Sequence, residues 1–95
     1  MKTPKYLLFQ GVLEWCNEIR KERGINPPLE ELPKGIQMDG YSCPCGKATG
    51  VFVGTVGWAK TKEAYSLVPY SNPIPMIVQE FVPRFDDGEF PELQL

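Results

Sequence analysis

The chain has 95 residues, 42% hydrophobic and 23% charged, with a net charge of -2 and a pI near 5.1. That describes one small globular domain, not a disordered segment, and speaks against a protein whose main work is neutralising phosphates. Histidine is absent, which removes every Ser/His or Cys/His nucleophile pair and the commonest metal ligand.

Apolar residues at Leu8, Val12, Trp15, Cys16 and Ile19 recur at three- and four-residue steps and predict an amphipathic helix over residues 5–23. Thr3 and Pro4 suit its cap and first position, although Gly11 leaves open a later start near Phe9. The apolar stretch from Tyr6 to Phe9 is too short for a signal sequence, and no run reaches membrane-spanning length. A soluble cytoplasmic protein is the expectation. Arg20, Lys21 and Arg23 fit the negative end of the helix dipole, interleaved with Glu18 and Glu22, so a solvated helix end explains them better than a nucleic-acid patch. Gly24 is placed to stop the helix.

Asn26-Pro27-Pro28 forbids continuation, and Leu29 to Leu32 has room for one helical turn before Pro33 and Gly35. Next comes Ser42-Cys43-Pro44-Cys45-Gly46, two thiols one proline apart in a tight turn. Zinc knuckles usually separate their thiolates by two residues. This pair is one short and would need Cys16 plus a fourth ligand, such as Asp39 or a group from a second chain. A redox pair would need an electropositive setting, and Lys47 is the only nearby cation. The third reading treats the cysteines as small apolar residues filling a corner, and it is the one carried forward.

Residues 51–58, rich in β-branched and aromatic side chains, predict a strand in which Gly54 and Gly57 mark a bulge or a close backbone approach. Tyr65 to Val68 is the expected return strand of an antiparallel hairpin. Asn72 and Pro73 then open a second helix whose apolar face is Ile74, Ile77, Val78, Phe81, Val82 and Phe85. Pro83 should kink or end it, and Asp87-Gly88 closes it.

Two further patterns are discounted. Asp86, Asp87, Glu89 and Glu92 lack the alternation of a calcium loop. Gly46-Lys47-Ala48-Thr49-Gly50 lacks the glycine spacing of a phosphate loop and precedes a strand, not a helix. The aromatics weigh more. Tyr41, Trp58, Tyr65 and Tyr70 are too many for so small a domain to hide, and tyrosine and tryptophan dominate binding hot spots. A cross-strand pair of Trp58 and Tyr65 is the competing structural account.

Several stretches carry a resemblance. Leu13-Glu14-Trp15-Cys16-Asn17-Glu18-Ile19-Arg20, Leu32-Pro33-Lys34-Gly35, Ser42-Cys43-Pro44-Cys45-Gly46 and Thr49-Gly50-Val51 resemble small uncharacterised proteins of actinobacterial phages, of the mycobacteriophage type. So do the closing Phe81, Phe85-Asp86 and Gly88-Glu89-Phe90-Pro91-Glu92-Leu93. The resemblance spans most of the chain and implies an accessory phage protein working in the host cytoplasm. It brings no assigned activity and no catalytic residue.

The expected fold is α+β, one domain over residues 1–95: an N-terminal helix, an antiparallel β-hairpin and a C-terminal helix, both helices on one side of the hairpin. The expected function is protein-protein binding without catalysis, through Tyr41, Trp58, Tyr65 and Tyr70, to a host or phage protein. A homodimer is left open, and neither nucleic acid nor membrane is expected as a partner. The alternative is a zinc-stabilised module, held by Cys16, Cys43 and Cys45, whose hairpin contacts nucleic acid.

Overall fold

Two amphipathic helices supply half of the buried core residues. The computed structural model describes residues 2–95, with helix α1 over Lys5–Glu22 and helix α4 over Met76–Asp86. Between them lie helix α2 (Pro44–Thr49), strands β1 (Phe52–Val53) and β2 (Trp58–Ala59), and helix α3 (Lys62–Leu67). A single 3-10 turn, Pro91–Leu93, follows α4.

Helix α1 buries Leu8, Val12, Trp15, Cys16 and Ile19, the stripe its periodicity predicts. It begins at Lys5 with Pro4 as cap, so neither the Thr3 cap nor the later start near Phe9 is adopted. Thr3 is drawn away from the helix because its N–H and hydroxyl both donate to Glu80 on α4, at 2.9 and 2.6 Å. The stop at Gly24 holds, with φ at +72°.

Helix α4 buries Val78, Phe81, Val82 and Phe85 and packs against α1. It starts three residues later than Pro73. Asn72 is occupied elsewhere: its carbonyl accepts the Trp58 N–H at 2.9 Å and its side chain donates to the Trp58 carbonyl at 3.2 Å. Pro83 does not end the helix, which runs to Asp86 and closes at Gly88 with φ at +82°. Phe81 stacks between Phe85 and Phe90 at centroid distances of 6.0 and 5.5 Å, and Phe9 of α1 meets Phe90 edge-on at 4.9 Å.

The sheet is antiparallel but smaller than predicted. Phe52 pairs with Ala59 and Val53 with Trp58, so all of the hairpin except Ala59 lies within the segment read as one strand. Gly54 is the reason: its N–H donates to the Gly57 carbonyl at 2.9 Å and turns the chain back. The expected return strand, Tyr65 to Val68, is instead the end of α3 and its cap. Thr61 initiates that helix by accepting the Ala64 N–H at 3.1 Å, a local capping bond that outweighs the β-propensity of Tyr65. Residues 29–32 form no helical turn, because the Asn17 side chain takes both backbone groups of Leu29, at 2.8 and 3.0 Å.

The result is an α+β domain of 12.2 Å radius of gyration, matching the roughly 12–13 Å of a single packed unit of this length. Contrary to expectation, the hairpin is not simply covered by two long helices. It packs chiefly on α2 and α3, while α2 also packs on α1. No helix among the described residues is long and apolar enough to cross a membrane.

Candidate functional site

The cysteine segment folds as the start of a helix. Cys43 is the N-cap of α2, its sulfur accepting the Gly46 N–H at 3.3 Å, and Pro44 occupies the first helical position, where its missing donor costs nothing. Gly46 is required here, since a Cβ would stand 2.2 Å from the Gly40 carbonyl oxygen. Helix α2 is buried along Pro44, Cys45, Gly46, Ala48 and Thr49, and the Thr49 hydroxyl is satisfied by the Cys45 carbonyl at 2.7 Å. Its C-terminal end is covered by α1: Arg20 donates to the Ala48 carbonyl at 2.9 Å and Arg23 to the Thr49 carbonyl. Two of the three clustered basic side chains of α1 are thus spent on another helix's carbonyls.

All three thiols are free and buried. Burial pushes Cys43 up to about 11, with the Gly46 hydrogen bond opposing it. Contact with the Cys16 thiol, then burial, pushes Cys45 well above the usual thiol range. These sulfurs are protonated near neutrality, the opposite of an activated nucleophile or a ready metal ligand. Among the described residues no three His, Cys, Asp or Glu side chains converge as a metal-holding group, Cys16, Cys43 and Cys45 included.

The aromatic side chains divide. Tyr41 and Tyr65 are brought together by Phe52, which lies between them at centroid distances of 5.2 and 5.1 Å. Tyr41 is 43% exposed and its hydroxyl accepts the Lys62 N–H at 2.6 Å, which pins its ring to the first turn of α3. Gly54 makes room for Tyr65, since a Cβ there would lie 2.1 Å from the tyrosine ring. Trp58 cannot join this row. It pairs with Val53, and the strand pleat sends that pair to the face opposite Phe52. Trp58 is half-buried against the core, whereas Tyr70 is exposed in the turn after α3 and stacks on no other ring among the described residues. Without a strand at Tyr65, the cross-strand pair of Trp58 and Tyr65 does not form.

Two residues of the site escaped the reading of the chain. Phe52 was hidden inside an assumed single strand, although its alternation with buried Val51 and Val53 was the available signal. Met38 carried none. It stands 81% exposed with a left-handed φ of 60°, in a turn where glycine or asparagine is the ordinary choice. Met38, Asp39, Gly40, Tyr41, Phe52 and Lys62 line one shallow depression of about 360 Å³.

No family model, curated protein or solved structure matches this chain. The depression and its aromatic row therefore stand on their own geometry. Asp39 and Asp86 border the neighbouring hollow, but both are engaged: Asp39 accepts the Tyr41 N–H and Asp86 the Met38 N–H, each at 2.9 Å. Their work is to hold the 37–42 turn, and with it Met38 and Tyr41, in place.

Proposed function

We propose that this chain is a non-catalytic accessory protein of the actinobacterial-phage type, acting in the host cytoplasm by binding a host or phage protein. The observation carrying this reading is the juxtaposition of exposed Met38 and Tyr41 with Phe52, Tyr65 and Lys62 on one face. A polarizable methionine beside aromatic rings suits an apolar side chain of a partner, and the tyrosines supply large contact area at low entropic cost. Met38 adds weight because its backbone conformation is costly while its side chain stands exposed. The high thiol pKa values and the absence of histidine favour binding over catalysis.

The test is capture from an actinobacterial host lysate by the intact protein and by a Met38→Gly/Tyr41→Ala double variant in parallel. The reading expects a defined protein retained by the wild type and lost by the variant. The same proteins retained by both would remove the aromatic row as the docking surface. Sedimentation equilibrium on the same samples decides whether the bound partner is a second copy.

A further inference from the structure

A second concave surface lies apart from the aromatic row. It is a groove of about 670 Å³, within the size range of ligand-binding clefts, and shares no lining residue with the Met38 depression. Its floor is the exposed flank of α1, where Phe9 and Leu13 lie one turn apart, joined by Leu32 and Leu93. Its walls are two chain segments that pair at one end only. Gly35 donates to the Leu93 carbonyl at 2.8 Å and accepts the Leu95 N–H at 3.0 Å, a short parallel bridge. Upstream of Gly35 the segments splay apart, because Pro91–Leu93 curls into a 3-10 turn instead of continuing alongside.

That splaying leaves an unusual wall. From Glu30 to Lys34 no backbone N–H or carbonyl has a hydrogen-bond partner among the described residues; the chain bends at Glu30 and Glu31, and Leu32 to Lys34 runs on without a bend, Pro33 contributing only a carbonyl. A run of unpaired backbone beside an apolar floor is the arrangement that an added extended chain completes, main-chain bonds giving affinity and floor pockets taking alternate side chains. Pro33 within it is typical of a sheet edge.

The rim carries more acid than base. Glu30, Glu31 and Glu92 face a single lining cation, Lys34. Glu92 is bridged by Lys5, but Glu30 and Glu31 are exposed and have no ion-pair partner among the described residues. We propose that this groove binds an extended segment of a partner protein in which basic and apolar residues alternate. Its apolar side chains enter over Phe9 and Leu13, its basic ones meet Glu30 and Glu31 at the bend, and its backbone pairs with residues 32–34. The site is independent of the aromatic row, and either can fail without the other.

The experiment titrates the isotope-labelled full chain with a capped peptide of about eight residues alternating lysine and leucine, long enough to span about 25 Å when extended. Amide shifts should concentrate in residues 30–34 and around Leu13 and Leu93. A Glu30→Lys/Glu31→Lys variant should weaken binding by about tenfold or more at low salt, with unchanged melting, since both side chains are exposed. The matching glutamate-leucine peptide should bind far more weakly. The proposal is overturned if shifts centre on Met38 and Tyr41, if the acidic peptide binds equally, or if the charge-reversal variant binds unchanged. It is overturned equally if about 1 mM peptide moves nothing, or if the peptide-free chain shows dilution-dependent shifts at residues 30–34, which would assign the groove to a second copy.

Discussion

Met38 is the residue where stability and exposure pull in different directions. Its φ of 60° costs a non-glycine side chain about 1–2 kcal/mol, and its side chain projects into solvent. Met38→Gly relieves the strain at some cost in chain entropy, so it should raise stability by about 0.5–1 kcal/mol. Chemical denaturation checks this, and a drop in stability would show that the methionine packs on the fold. The cysteines lie at the same scale. None of the three thiols should react with a water-soluble disulfide reagent in the folded protein, and all three should react in denaturant. The sign of the pH effect follows from Cys43. The unfolded thiol ionises near 8.5 and the folded one near 11, so the unfolded chain holds fewer protons between those values. Stability from this group is complete below about pH 8.5 and falls as pH rises toward 11. Denaturant midpoints across that window measure it, and a Cys43→Ser variant should flatten the decline.

At the level of elements, the hairpin and α3 form one unit held by Gly54. An added methyl meets the Tyr65 ring at 2.1 Å, so Gly54→Ala should swing Tyr65 off Phe52. The expected cost is about 1 kcal/mol, seen as a lowered melting temperature and loss of the ring-current shifts between Phe52 and Tyr65. Both long helices were legible from period alone, because Leu8, Val12, Trp15, Ile19 and Val78, Phe81, Val82, Phe85 each bury one continuous stripe. The short elements were not. Tyr65 and Val68 have β-forming side chains, yet Thr61 caps a helix over them. A two-residue strand at Phe52 carries no period to read. The thiol pair was legible as a packed corner, while its role as a helix cap depended on Gly46 coming within reach of Cys43.

For the molecule as a whole, the aromatic stack centred on Phe81 joins α1, α4 and the closing segment. Phe81→Ala should cost about 3–5 kcal/mol, a large share of the total for any small domain, and lower the melting temperature by about 15 °C or more. A second tie is polar. Glu80 accepts both Thr3 bonds and an Arg84 bond, with Arg84 reaching the Thr3 carbonyl at 2.9 Å. The Thr3 hydroxyl, then its N–H and Arg84, hold the Glu80 carboxyl below its usual range against the push of burial. A depressed carboxylate stabilises above its unfolded value of about 4.3 and loses that contribution as pH falls through the lower folded value. Glu80→Gln should therefore lower stability near neutrality by about 1–2 kcal/mol and reduce its decline below pH 4.3. Equal acid sensitivity in the two proteins would contradict the tie.

Composition and periodicity are enough to give the class: one small α+β unit, two amphipathic helices at its ends, thiols that pack, and a surplus of aromatic side chains. Those properties follow from composition and local period, which each short window carries in full. Chain closure in three dimensions sets which aromatics share a face, puts Trp58 and Phe52 on opposite faces of the hairpin, and makes residues 30–34 line an open groove. Each of these depends on contacts between distant segments, such as Gly54 with Tyr65, Asn17 with Leu29, and Gly35 with Leu93. Such contacts form only once the chain has closed on itself, so no local window contains them.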